Sequence, residues 1–453
     1  MAADVARAFV DECGKGRGLL RAAMTRVLQQ PAIAEIFGGN PLDRPWFAAR
    51  AEIEAFASDV CALFELLVSL PQRLFDGDLN RYCAALGIPP QRAALLRRGA
   101  RGRPALLGRA DTFHDGESYR LLELNLGSEL GGMNLAETNR ALLDVPEFRD
   151  FAQRHQLEHV DTAQRLAATL RQVGRTVTSG AEPTVALLDD TGDLAAYADW
   201  HRALQRVLGR HGVELRLGEL HEARTRRGKV FLHGTPIDVV LRNFSVDAVL
   251  QDPQGAQRVE PVLRAHENGK TVLFTTFESG LFSNKGALAL LSDSRSRSSF
   301  TAGETALVDR LVPWTRSLDR NTDADLLAHC HERRADLILK PRVGYGGQDI
   351  VVGWETSEKD WAHALEQATV RGYVAQRRVR PRPGPVFNLQ TGVVEDWAAV
   401  LGVFLTESGY SGAFARALPV PESSVIAWTA NRRTRVAGVF LQPDSFLQPD
   451  SEP

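Results

Sequence analysis

The sequence predicts a mixed α/β chain of the α+β type, built from two or three domains. Three observations carry this expectation. The first stretch, to about residue 104, repeats apolar residues at helical spacing with no strand-like run. From Pro183 onward, short apolar runs alternate with amphipathic stretches in βαβ order. Two β-hairpins are marked by their turns, one at Asp115-Gly116 and one at a glycine-rich loop holding Gly344, Gly346 and Gly347.

Composition narrows the function classes. The chain has 453 residues, 44% apolar and 24% charged, which is the make-up of an ordinary globular protein with large cores. A net charge of −2 gives no electrostatic case for nucleic acid or an acidic membrane. No apolar run approaches the roughly 20 residues that span a bilayer; the best, residues 60–70, is broken by Glu65. The start of the chain does not lead into a secretory segment. Cys13, Cys61, Cys83 and Cys330 lack metal-ligand or disulfide spacing, which suits a reducing cytoplasm. The histidines show no His-x-x-x-His pair on a helical face, so zinc is not expected.

Residues 1–104 read as a helical N-terminal region. Within it, residues 48–70 carry Ile53, Phe56, Val60, Leu63, Phe64 and Leu67 on one face, and Pro71 marks the helix end. Residues 78–86 and 90–96 read as shorter helices, followed by a basic connection at 97–103 that reads as solvated. Residues 105–147 open with the Asp-Gly hairpin. On its second strand Glu123 and Asn125 share a face, and Leu122, Leu124 and Leu126 are expected on the other, towards the core. Closing the hairpin brings Arg109 and Asp111 opposite Glu123 and Asn125. Two carboxylates and an amide oxygen are hard donors that suit Mg2+. The same residues would also serve as the wet face of an edge strand; the Gly/Ser-rich loop that follows Asn125 favours a site.

Residues 148–262 lead through a helical stretch into the βαβ unit: strand 183–190, helix 195–211, strand 213–217, a hairpin within 229–237 and strand 239–242. This order predicts a small parallel sheet. It lacks the glycine fingerprint of a dinucleotide site. Asp189 and Asp190 end its first strand, where they would face a crevice or cap the next helix. Ser128, Arg242 and Asn243 are candidate contacts for a substrate carboxylate, although element ends use such residues anyway.

In residues 263–435, Lys285 opens a helix that turns Leu288, Leu290 and Leu291 inward. A cation there opposes the helix dipole unless an anion lies nearby, so Lys285 is either a phosphate ligand or a solvated lysine. Lys340 ends an apolar strand before the glycine loop, whose backbone N–H groups can close on a phosphate chain. The spacing is neither a P-loop nor Gly-x-Gly-x-x-Gly, and a plain hairpin with a strand-end lysine would read the same way. A helix over 357–370 and a strand from Tyr373 to a proline exit follow, then a hairpin at 400–416. Residues 436–453 are expected to be a loosely docked tail, with Phe-Leu-Gln-Pro-Asp-Ser at 440–445 repeated at 446–451.

Lysine, glycine hairpin, helix and hinge strand, in that order, resemble the nucleotide half of an ATP-grasp domain. Here the acidic cluster precedes that half, which resembles the circularly permuted ATP-grasp group that includes glutathionylspermidine synthase. The matching motifs are Arg109-x-Asp111, Glu123-x-Asn125, Asn284-Lys285, Lys340-Pro with its glycines, and Tyr373-x-x-Gln376 ending at proline. They span about 109–381, while the N-terminal region and the tail carry none. No cysteine amidase domain is present, and the loop Leu-Gly-Ser-Glu-Leu-Gly-Gly departs from the Asp-Thr-Pro-Thr type of those synthases.

The resemblance implies an ATP- and Mg2+-dependent carboxylate–amine ligase, working through an acylphosphate and releasing ADP and phosphate. It implies Asp111, Glu123 and Asn125 as metal ligands, and Lys285, Lys340, Gly344, Gly346 and Gly347 on the phosphates. It also implies Gln376 to Val379 at adenine and Arg109 as the catalytic cation, unless Arg109 only orients Asp111. A carboxylate and an amine are the expected partners, with no nucleic acid, no membrane and a homodimer left open. A small-molecule kinase and a non-catalytic ATP-binding protein are the alternative readings.

Overall fold

The computed structural model describes residues 2–15, 18–29, 40–99, 103–344, 346–420, 425–427 and 430–443. Its centre is a seven-stranded sheet assembled from three distant parts of the chain. In spatial order it runs Trp46–Ala49, Arg435–Gln442, Gly409–Pro419, Val394–Thr406, Leu107–His114 and Tyr119–Leu126, with Gly384–Phe387 added beside Val394–Thr406. Only the Trp46–Ala49 pairing is parallel. Residues 436–442, expected in a loose tail, instead fill an interior strand. Their run Val436-Ala-Gly-Val-Phe-Leu is apolar throughout and buries both faces of the strand, with Phe440 packed 5.2 Å from the Phe148 ring. The second copy of the duplication lies outside the described residues.

A second sheet of four strands is parallel in all its pairings, in the order Val272–Phe274, Val239–Arg242, Val185–Asp189 and Leu215–Glu219. The Val185–Asp189 strand is buried at every position, as a strand covered on both faces must be. A third sheet, antiparallel, runs Thr315–Leu318, Tyr373–Arg377, Leu337–Pro341 and Val351–Val352. The helix Glu358–Arg371 lays Trp361, Leu365 and Ala368 on it. Residues 224–237 form a small three-stranded meander.

The N-terminal helical region contributes a long helix, Arg50–Phe75, that runs on through Pro71 rather than stopping there. Burial of Leu66, Leu67, Leu70 and Pro71 offsets the one backbone bond that proline removes. The basic connection is not simply solvated. Arg98 bonds Glu260 and Glu267, and Arg103 bonds Glu65 and Glu407, so both tie the helical region to the rest of the chain. Among the described residues no helix is long and apolar enough to cross a membrane.

Candidate functional site

Between the seven-stranded sheet and the third sheet lies a cavity of about 790 Å³. Its floor is the Asp-Gly hairpin, where Asp111 pairs in register with Glu123 and Arg109 with Asn125. One residue further the register shifts, so that Thr112 faces Leu121 and Leu122 is left over as a bulge. That bulge corrects the expected alternation. Leu124 is buried in the core and the buried Leu126 borders the cavity, while Leu122 turns to line it, and the Leu122 carbonyl accepts from Lys340 Nζ at 3.3 Å and Gln376 Nε2 at 3.4 Å.

The two lysines expected at phosphates converge on this floor from separate elements. Asn284 caps the helix Lys285–Ser292 through Gly286 N, which fixes where Lys285 leaves the backbone. Lys285 Nζ lies 3.0 Å from a Glu123 oxygen and 3.4 Å from the Gly344 carbonyl. Lys340 leaves the strand Leu337–Pro341 and donates to Gln376 Oε1 at 2.8 Å. Gln376 thus has a side-chain role, with its Nε2 donating to Thr315 Oγ1 as well.

Charge explains the protonation states. Burial works against ionisation of Glu123, yet Lys285 and Lys340 hold its pKa far below the ordinary carboxylate range. Burial, together with neighbouring Lys285, brings the Lys340 ammonium down to about 8 against the opposing pull of Glu123. Arg109 is desolvated too, but Asp111 and then Glu123 hold its pKa above that of a free guanidinium. Its Nε and Nη2 donate to the two Asp111 oxygens at 2.7 and 3.0 Å, and its Nη1 donates to the Gly131 carbonyl.

A residue the sequence reading missed completes this cluster. Arg416, on the strand Gly409–Pro419, donates to Asp111 Oδ2 at 2.7 Å. Arg109 and Arg416 lie against the Phe414 ring, at 5.6 and 5.8 Å from its centroid. Its signal was present: a lone arginine inside the apolar run Ala413-Phe-Ala-Arg-Ala-Leu. Four cations thus surround two carboxylates, leaving an excess of positive charge suited to an anion.

Gly344, Gly346 and Gly347 line the cavity, Gly346 and Gly347 with φ of +64° and +76° that favour glycine; Tyr345 between them lies outside the described residues. Val379 lines it too, among Phe113, Ala398, Val400 and Ile426, which form an apolar slot at the hinge end. Trp354, stacked 4.0 Å from the Arg378 guanidinium, borders that end. Asn125 donates to Glu123 Oε1 at 3.2 Å and lines the cavity beside it.

The three candidate substrate contacts divide. Arg242 lines the cavity, bonded to Glu129, Thr275 and the Phe244 carbonyl. Ser128 does not line it; its hydroxyl donates to the Arg242 carbonyl and accepts from Thr275 N. Asn243 does not either, since it donates to buried Asp189 Oδ2. Asp189 also bonds His201 at 2.7 Å, and Asp190 accepts from Ser245 N, so neither side chain caps the following helix.

Asp111, Glu123 and Asn125 fit a hard divalent cation by their chemistry: three oxygen-bearing side chains on two paired strands, two of them carboxylates. Their present partners are the chain's own cations, so a metal would take Glu123 from Lys285.

The chain is 27% identical over 353 residues to an uncharacterized protein of Mycobacterium leprae, covering 75% of this chain and 56% of that one. It is 26% identical over 339 residues to an uncharacterized protein of Mycobacterium tuberculosis, covering 72% of this chain and 56% of that one. It therefore spans about half the length of the curated relatives it matches. In fold it is similar to a glutathione synthetase-like effector from Globodera pallida, with a TM-score of 0.56 and 11% identity over 94% of this chain and 98% of that one. Residues 114–417 match the family model described as circularly permuted ATP-grasp type 2. That match covers well over half the sequence and takes in the second strand of the hairpin, the lysines, the glycine loop and the hinge: the chain belongs to the circularly permuted ATP-grasp type 2 family.

Proposed function

We propose that this protein is an ATP-dependent ligase that joins a carboxylate to an amine, forming an amide and releasing ADP and phosphate. The observation that carries this reading is the convergence of Lys285, Lys340, Arg109 and Arg416 around Glu123 and Asp111 in one cavity. Lys285 and Lys340 would hold the ATP phosphates under Gly344–Gly347, and the slot around Val379 would take adenine. Asp111, Glu123 and Asn125 would hold Mg2+, which supplies neutralisation of phosphate charge when bound.

The reaction places most demand on charge. A substrate carboxylate attacks the terminal phosphorus of ATP, and the leaving group is ADP. The amine then attacks the acylphosphate carbonyl, and the tetrahedral oxyanion collapses with loss of phosphate. Arg109, held rigidly by Asp111, Gly131 and Phe414, is the residue for the carboxylate and later the oxyanion. Arg416 shares its Asp111 oxygen and adds a second cation at the same place.

The test is ADP release with pools of carboxylates and amines, supplied separately and together. The ligase reading predicts release that needs both. Release with the acid alone and a stable phosphorylated product would point to a kinase; no release with any combination, from protein that binds ATP, would point to a non-catalytic binder.

A further inference from the structure

Away from the hinge, the cavity ends at a corner where the N-terminal helical region meets the small parallel sheet. There it is lined by Arg92, Glu129, Arg242, Val246 and Phe277. Arg92 comes from the helix Pro90–Leu96 and forms an ion pair with Asp247, which does not itself line the cavity. Glu129 comes from the loop after the Asp-Gly hairpin and pairs with Arg242 at 2.5 Å through its Oε2. Arg242 is engaged: besides Glu129 it donates to the carbonyls of Thr275 and Phe244 and lies 5.0 Å from the Phe277 ring. With a further bond to Thr275 Oγ1, four of its five N–H donors are used within the chain, so it acts as a fixed brace for Glu129.

Arg92 thus faces the cavity with its counter-ion Asp247 outside the lining, whereas Glu129 and Arg242 both line it. The corner therefore offers a guanidinium from Arg92 and a carboxylate from Glu129. Gly131, whose carbonyl Arg109 holds, is two positions after Glu129. The carboxylate is thus on the side of the reacting centre, and Arg92 is on the outer side, supplied by a region without family motifs.

We infer that this corner is a subsite for a zwitterion, and that the amine substrate is an α-amino acid. Its ammonium sits on Glu129, towards Arg109, and its carboxylate sits on Arg92. The product then carries a new amide and keeps a free carboxylate. Val246 and Phe277 are the apolar residues that line this corner, which favours an apolar side chain over a charged one. The inference rests on the ligase reading for the fate of the amine, but the subsite itself can be tested by binding alone.

The experiment measures the thermal midpoint of wild type, Glu129→Gln and Arg92→Gln with Mg2+ and a non-hydrolysable ATP analogue. The probes are the proteinogenic α-amino acids one at a time, each beside its decarboxylated amine and its N-acetyl derivative. The expected result is a shift with one or more apolar amino acids that neither matched derivative gives. Both variants should need roughly tenfold more amino acid for the same shift, as loss of a charge-assisted bond implies, while keeping the analogue's own shift. Should Glu129→Gln fail to fold beside Arg242, Arg92→Gln carries the test, because unchanged amino-acid binding in it overturns the inference. No amino-acid shift in wild type with the analogue's shift intact overturns the subsite and leaves the ligase reading standing. Amino-acid shifts without any analogue shift keep the subsite and remove the ligase reading.

Discussion

Lys285 Nζ lies 3.0 Å from a carboxylate oxygen of Glu123, joining a helix start to the bulged hairpin strand. The pair holds the proposed phosphate ligand on the proposed metal ligand, so each occupies the other's position until a ligand separates them. In Lys285→Met, Glu123 loses the larger of the two cationic influences that keep it ionised against burial. A carboxylate with a depressed folded pKa stabilises the fold above its unfolded pKa and loses that contribution as pH falls through the folded value. Lys285→Met should therefore cost about 2 kcal/mol near neutral pH. The deficit should shrink once pH falls below about 4, where the unfolded carboxylate also takes a proton. Urea denaturation across pH measures it, and a deficit that does not vary with pH would contradict the pairing.

Lys340 titrates at about 8 because it is buried beside another cation. A lysine with a lowered folded pKa disfavours the fold while charged, so this penalty is present below about 8 and is relieved as pH rises towards the unfolded value near 10.4. Phosphate binding needs the charged form. Nucleotide affinity should therefore weaken as pH rises through about 8, and binding near that pH should take up protons. Calorimetry in buffers of different ionisation heat reads the proton uptake directly. In Lys340→Arg, whose guanidinium stays charged, the affinity should lose this pH dependence.

Gly402 faces Arg109, the proposed catalytic cation, from the neighbouring strand. A Cβ there would lie 2.6 Å from the Phe414 ring and 2.9 Å from Arg109 Cδ. Both must move to admit it, at a cost of about 1–3 kcal/mol. Gly402→Ala should lower turnover more than it lowers nucleotide affinity, because Lys285 and Lys340 are on other elements. Equal loss of both would place Arg109 outside the chemical step.

Much of the site was legible because its chemistry is local in sequence. Arg109 and Asp111 are two residues apart on one strand, Glu123 and Asn125 two apart on the next, and an Asp-Gly turn closes the strands face to face. The lysines and glycines could be named from their motifs, although only folding brings Lys285 and Lys340 to the same carboxylate. Arg416 was missed because its partner Asp111 is 305 residues away, and no short motif encodes that pairing. Leu122 was misplaced because period-2 alternation cannot foresee a bulge. Residues 436–442 read as tail because the six-residue duplication starting at Phe440 overlaps the end of the apolar run that forms the strand. Ser128 and Asn243 look like ligands in sequence, yet in the fold they bond neighbouring elements. Such residue types serve both ends, and only the partner distinguishes them.

The central claim is a nucleotide site built from Lys340 on one sheet and Glu123 on another. The most direct measurement is the thermal midpoint with and without Mg·ATP for wild type, Lys340→Ala and Glu123→Gln, since a ligand specific to the folded state raises it. The expected result is a Mg2+-dependent rise in wild type, no rise in Lys340→Ala, and in Glu123→Gln a rise that no longer depends on Mg2+. A wild-type midpoint unmoved by millimolar Mg·ATP would contradict it.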